Sequence, residues 1–104
     1  MKRMHLRRGT CVLADRTCVP GVSLHHVVPR RPHLGDDVEA NLVFLCGDGT
    51  TGHHGEIEHR KPEAQARLNE HIREHRPDVM GYVYGKFGGG EGDAWLDRRY
   101  PPSD

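Results

Sequence analysis

The chain has little of what builds a large hydrophobic core. Of its 104 residues only 35% are hydrophobic and 6% aromatic, while 13 are glycine and 7 proline. At this length one small domain is the upper bound, near the size where a single core just suffices to fold. A core this thin predicts that something besides apolar burial helps to hold the fold, and a structural metal is a common solution in small scaffolds. No apolar run approaches the length of a membrane span, and no signal-peptide-like apolar segment follows the basic start. A cytoplasmic location with no membrane partner is the expectation. Net charge is also missing, since 15 basic residues balance 15 acidic ones. The sum announces no nucleic-acid binding, which usually shows as a basic excess.

Disulfides are excluded as a complete framework, because three cysteines cannot all pair. In a reducing compartment metal binding is the better default for them. No internal repeat is visible. The GGGEG stretch near the end lacks the Gly-Lys-Ser/Thr ending of a phosphate loop. A zincin protease requires His-Glu-x-x-His, and neither His53 nor His54 is followed directly by Glu.

What the chain does have is histidine, nine in all, with two adjacent pairs at His25-His26 and His53-His54. Neighbouring residues in a strand or helix point different ways, so each pair has two jobs to explain. Charge is clustered as well. Lys2, Arg3, Arg7 and Arg8 stand at the start, Arg30 and Arg31 follow the first histidine pair, and acidic residues gather at 36–39 and 91–97. Each cluster reads equally well as a solvated face.

Residues 1–10 read as a basic lead-in, 11–77 as the main domain, and 78–104 as a C-terminal strand with a flexible tail. Pro20-Gly21 closes a polar turn. VSLHHVV at 22–28 is rich in β-branched residues and predicts a strand. RRPHLGDDVEA predicts a surface loop, and NLVFLC at 41–46 a buried strand antiparallel to the first. A short helix is expected from Gly52 to about 59 or 60. A second runs from Pro62 until Pro77 ends it, with Ala64, Leu68 and Ile72 as a narrow buried stripe. His71 and His75 on that helix are read as packing or solvent contacts. YVYGKF at 82–87 predicts a strand, and Trp95 is expected to pack back onto the domain.

Six residues separate Cys11 from Cys18, and six separate Cys46 from His53. Two matched pairs bent around turns suit a tetrahedral Zn²⁺ site, with thiolates and an imidazole converging from two loops. The spacing is longer than in common zinc knuckles, and ordinary buried cysteines are the other reading. Such a zinc would contribute folding free energy directly and tie the start of the first strand to the end of the second.

LHHVVPR, then Asn41-Leu42 before an apolar run, then Cys46 and a final His-Gly, resembles the HNH endonuclease motif of the ββα-metal fold. The similarity is greatest to small bacteriophage HNH proteins whose last segment reads CGSGTTG followed by Cys-His-Gly, and it spans about residues 11 to 60. The resemblance implies an α+β fold, namely a small zinc-stabilised ββα-metal domain with an added C-terminal helix and tail. It implies His26 as general base taking a proton from the attacking water, a task that suits an imidazole. His25 and His54 would hold a catalytic divalent metal, Mg²⁺, Mn²⁺ or another, that polarises the scissile phosphate. Asn41 would pin the loop between the strands, or in some relatives ligate the metal. Products would carry 5′-phosphate and 3′-hydroxyl ends.

The chain departs from that pattern twice. His53 stands where the phage relatives have Cys, which would make the zinc site Cys₃His. Glu58 replaces a further histidine four residues after His54, on the same helix face. It is either a third ligand, through a carboxylate oxygen, or a solvated carboxylate. DNA is then the expected substrate, terminase or other packaging proteins are candidate partners, and the bacterial host cytoplasm is the location. The alternative is a non-catalytic, zinc-stabilised module that binds DNA or protein.

Overall fold

The computed structural model describes residues 10–31 and 35–103. The basic lead-in therefore falls almost wholly outside the described residues, as does the middle of the loop after Arg31. Strand β1 (Val22–His26) pairs antiparallel with β2 (Leu42–Cys46), in a register that sets Val22 opposite Cys46 and His26 opposite Leu42. Helices α1 (Gly52–Glu58), α2 (Pro62–His75), α3 (Pro77–Phe87) and α4 (Gly89–Arg99) follow. The chain is thus a small α+β unit with a two-stranded sheet and four helices among the described residues. No helix of the described residues is long and apolar enough to cross a membrane.

The ladder extends beyond both strands. The Val27 amide donates to Asn41 O, and on the far side of β2 the Val12 amide donates to Phe44 O. The segment that carries the first two cysteines is therefore anchored along β2. A single 3₁₀ turn at Glu39–Asn41 brings the long loop back into β2.

Prolines start two of the helices. Pro62 and Pro77 each sit at the first helical position, where the missing N–H costs nothing and φ is already helical. The stripe Ala64, Leu68 and Ile72 is buried as the periodicity predicts. Helix α1 ends on residues with no glycine. Arg60 takes the left-handed conformation at φ 59°. Its amide donates to Ile57 O and that of Lys61 to Glu56 O, the doubly bonded arrangement in which glycine usually sits.

The C-terminal region differs from the sequence-based expectation. Residues 82–87, read as a strand, lie in α3, and the glycine-rich stretch read as a flexible tail opens α4. Aromatic and β-branched content argues for a strand, but the burial of Val79, Met80, Val83 and Phe87 recurs at three- to four-residue intervals. Packing of that helical face overrides local strand propensity. Gly92 is what lets α4 approach α3, since a Cβ there would lie 2.9 Å from the Tyr84 ring. Trp95 does pack inward, stacking on Phe87 with ring centroids 4.8 Å apart.

One core runs through the described residues. It joins Cys11, Leu13, Val27, Val28, Leu45 and Ile57 to Leu68, Ile72, Val83, Leu96 and Tyr100. The C-terminal helices are therefore part of the same packed unit as residues 11–77. Buried polar side chains fasten the end of α4. Gln65 donates to Arg99 O at 3.1 Å, and Asn69 donates to Tyr100 O at 2.7 Å. This places Tyr100, which is completely buried, beneath β1.

Candidate functional site

Helix α1 carries both His53 and His54, and successive helical residues point about 100° apart. They accordingly join two different clusters. Gly52 makes the turn possible, with φ of +66° and Cys46 O only 2.4 Å from where a Cβ would be.

The first cluster is Cys11, Cys18, Cys46 and His53, whose ligand atoms lie within 4.8 Å of one another. His53 Nδ1 lies 3.4 Å from Cys11 Sγ, 3.4 Å from Cys18 Sγ and 3.2 Å from Cys46 Sγ. A tetrahedral zinc with ordinary Zn–S and Zn–N bonds would set each sulfur about 3.5 Å from the nitrogen. The donor set therefore fits a zinc-like ion in both chemistry and dimension. Burial pushes the Cys11 thiol up to about 12. Burial also pushes Cys46 upward, but hydrogen bonds from the His53 and Val19 amides and the neighbouring thiols win and hold it at about 7. A cation is the natural companion for three thiols crowded around one imidazole.

The outer nitrogen of His53 is held as well. His53 Nε2 lies 3.3 Å from Thr17 Oγ1 and 3.4 Å from Asp15 Oδ1. The Thr17 hydroxyl itself donates to Asp15 at 2.6 Å, and Arg67 donates to the other Asp15 oxygen at 2.8 Å. Thr17 chiefly, helped by Arg67, holds the Asp15 carboxyl well below the usual carboxylate range. An ionised Asp15 keeps the proton on Nε2, so that Nδ1 faces the sulfurs with its lone pair.

The second cluster is His25, His54 and Glu58, also within 4.8 Å of one another. His25 comes from β1, and the other two from one face of α1. One Glu58 oxygen lies 3.2 Å from His25 Nδ1 and 3.4 Å from His54 Nε2. The contact with His25 holds the Glu58 carboxyl down at about 2 against its partial burial, with His54 and Arg99 adding to the effect. Burial holds the His25 imidazole below its ordinary value. Two imidazoles and a carboxylate form a set that divalent ions such as Mn²⁺ or Zn²⁺ accept.

This cluster opens into a cleft of about 410 Å³ lined also by His26, Arg30, Gly49 and Arg99. His26 thus reaches the same cleft as His25 although the two alternate along β1. Its Nε2 lies 2.5 Å from Asp37 Oδ1, and that bond holds the Asp37 carboxyl down. Arg30 and Arg99 bring positive charge to the rim.

Asn41 lies away from the cleft and is fully buried. Its Oδ1 accepts from the Val28 amide at 2.7 Å, and its Nδ2 donates to Val28 O and Asp36 O at 3.0 Å. It pins the loop that carries Asp37, and its oxygen is committed to backbone, not aimed at the cluster. His71 and His75 belong to neither cluster, and their rings lie 5.3 Å apart on α2.

Several contributors escape sequence reading. Asp15 and Thr17 sit between the first two cysteines and had a local signal in that polar turn. Ser23 shares a strand face with His25, two residues on. Arg99 and Tyr100 had no signal, because their placement depends on how α4 docks. Comparison of the chain with protein-family models, with curated proteins and with solved structures finds no match.

Proposed function

We propose that the chain is a metal-dependent endonuclease of the HNH kind, hydrolysing phosphodiester bonds in DNA. The observation that carries this reading is the cleft itself. It gathers His25, His54 and Glu58 from β1 and α1, with His26 beside them and two arginines at the rim. The order strand, strand, helix, with two histidines from the first strand and one from the helix, supports a ββα-metal arrangement.

Each residue then has a task. Asp37 accepts from His26 Nε2–H, which leaves Nδ1 as the basic atom that takes the proton from water. The water oxygen bonds to phosphorus as the bond to the 3′ oxygen breaks. Arg30 and Arg99 meet the charge of the bound phosphodiester. A divalent ion held by His25, His54 and Glu58 would polarise the phosphate and offset charge on the departing oxygen. Asn41 acts at one remove, by fixing the loop that carries Asp37. The Cys11, Cys18, Cys46 and His53 cluster would hold zinc as a structural element.

Purified protein with Mg²⁺ or Mn²⁺ is expected to nick supercoiled plasmid, and His26→Ala to lose that activity while remaining folded. Equal nicking by the two proteins would sink the proposal. A second reading, a zinc-stabilised binding module without catalysis, draws on the zero net charge, which supplies no strong field for phosphates. One tightly held zinc, no divalent ion in the cleft and no cleavage would favour it.

A further inference from the structure

Two hydroxyl groups lie against the nitrogens of His25 and His54 that face away from Glu58. The Tyr100 hydroxyl lies 2.6 Å from Val27 O and 2.9 Å from His25 Nε2. A carbonyl only accepts, so the single phenolic proton goes to Val27. The phenolic oxygen can then only accept, and the proton in its bond with His25 must be on Nε2. Ser23 repeats the arrangement on the other ring. Its hydroxyl donates to Gly47 O at 2.7 Å, so its oxygen accepts from His54 Nδ1.

When both rings are neutral, His25 is then left with its lone pair on Nδ1 and His54 with its own on Nε2. Those are the two atoms that face Glu58 Oε2, at 3.2 and 3.4 Å. In that state three acceptors meet at one point of the cleft, an arrangement that a divalent cation satisfies with all three at once. The two rings use opposite nitrogens, which is why one hydroxyl sits at the far side of each.

We propose that Ser23 and Tyr100 are positioning residues that lock the tautomers of His54 and His25. Each hydroxyl takes the N–H of one imidazole and aims both ring lone pairs, with the Glu58 carboxylate, at a single divalent cation. This makes α4 part of the cation site, because Gln65 and Asn69 hold the Arg99–Tyr100 end of that helix in place. The inference rests on reading the cluster as a divalent-cation site. It does not need DNA to be the substrate.

The test is spectroscopic and uses the purified, ¹⁵N-labelled full chain above the ordinary imidazole titration range. Long-range ¹H–¹⁵N correlations are expected to report a proton on Nε2 of His25 and on Nδ1 of His54. Tyr100→Phe should release only the His25 tautomer, and Ser23→Ala only that of His54. Calorimetric titration with Mn²⁺ should show affinity about 10- to 100-fold weaker in each variant. Mixed tautomers in the wild type, a doubly protonated His25, or variants with unchanged tautomers and affinity would overturn the proposal. Should Tyr100→Phe fail to fold, Ser23→Ala, at a partly buried position, still decides it on His54. A wild type that takes no Mn²⁺ in the cleft overturns this inference and the metal reading together. One that binds Mn²⁺ with the expected tautomers but nicks no plasmid supports the inference and removes only the nuclease reading.

Discussion

The two clusters share helix α1 and are built on opposite principles. The Cys₃His cluster supplies four ligands, three of them cysteines, and His53 within it is only 2% exposed. The His₂Glu cluster supplies three ligands, faces a cleft, and includes a carboxylate whose side chain is 40% exposed. Four protein ligands complete a tetrahedral ion and leave no room for chemistry, whereas three leave a position for water or substrate. Adjacent histidines, one turned to each cluster, therefore tie the buried thiol cluster to the one that lines the cleft. In both, the outer face of each histidine is occupied: Asp15 and Thr17 behind His53, Ser23 behind His54, Tyr100 behind His25.

That contrast breaks first, and hardest, at Cys46. Apparent binding free energy for a structural zinc is about 10–16 kcal/mol, comparable to or above a domain's whole stability of about 5–15 kcal/mol. Cys46→Ser, or a strong chelator acting on the wild type, is expected to abolish cooperative thermal unfolding by circular dichroism and to release the metal. A Cys46→Ser protein with unchanged zinc content and melting temperature would remove the structural half of the comparison.

His26→Ala should do the reverse. The nicking rate is expected to fall about 10²- to 10⁴-fold, the usual contribution of a general base, while the melting temperature stays put. His54→Ala belongs with it: divalent-ion binding in the cleft should disappear, yet the bound zinc should remain at one per chain. Loss of zinc in that variant would mean that the two clusters are one unit.

Asp15→Asn sharpens the comparison at smaller scale. Weakening the carboxylate behind His53 should lower zinc affinity about 10- to 100-fold, read by competition with a chromophoric chelator, with divalent binding in the cleft unaltered. Arg60→Gly is the mildest change. Glycine relieves the left-handed strain at the end of α1 but loosens the unfolded chain, so the net gain should lie below about 1 kcal/mol. Since α1 carries ligands of both clusters, any gain should stabilise them together, as read by chemical denaturation.

The Cys₃His cluster was legible along the chain from residue type and spacing, whereas His25, His54 and Glu58 were marked as a set only by the resemblance to the HNH motif. Cysteine and histidine at matched spacing mark a convergence, and HH in a strand or helix must serve two directions. Helix α2 was legible too, since Pro62 and Pro77 bracket a four-residue apolar repeat. The C-terminal region was misread for a definite reason. YVYGKF has strand composition, and only the packing of Val79, Met80 and Val83 against neighbouring elements selects the helix. Gly92 reads as a flexible residue until α3 is known to pass beside it.

The sequence by itself determined which groups are available for chemistry: three thiols, two histidine pairs and a carboxylate one turn beyond His54. Tertiary structure alone decided which way they face. Tyr100 lies 75 residues from His25 and reaches it only because Gln65 and Asn69 fix the end of α4 beneath β1. A residue's chemistry is local, but the proton on an imidazole is set by whatever the fold brings to its other nitrogen.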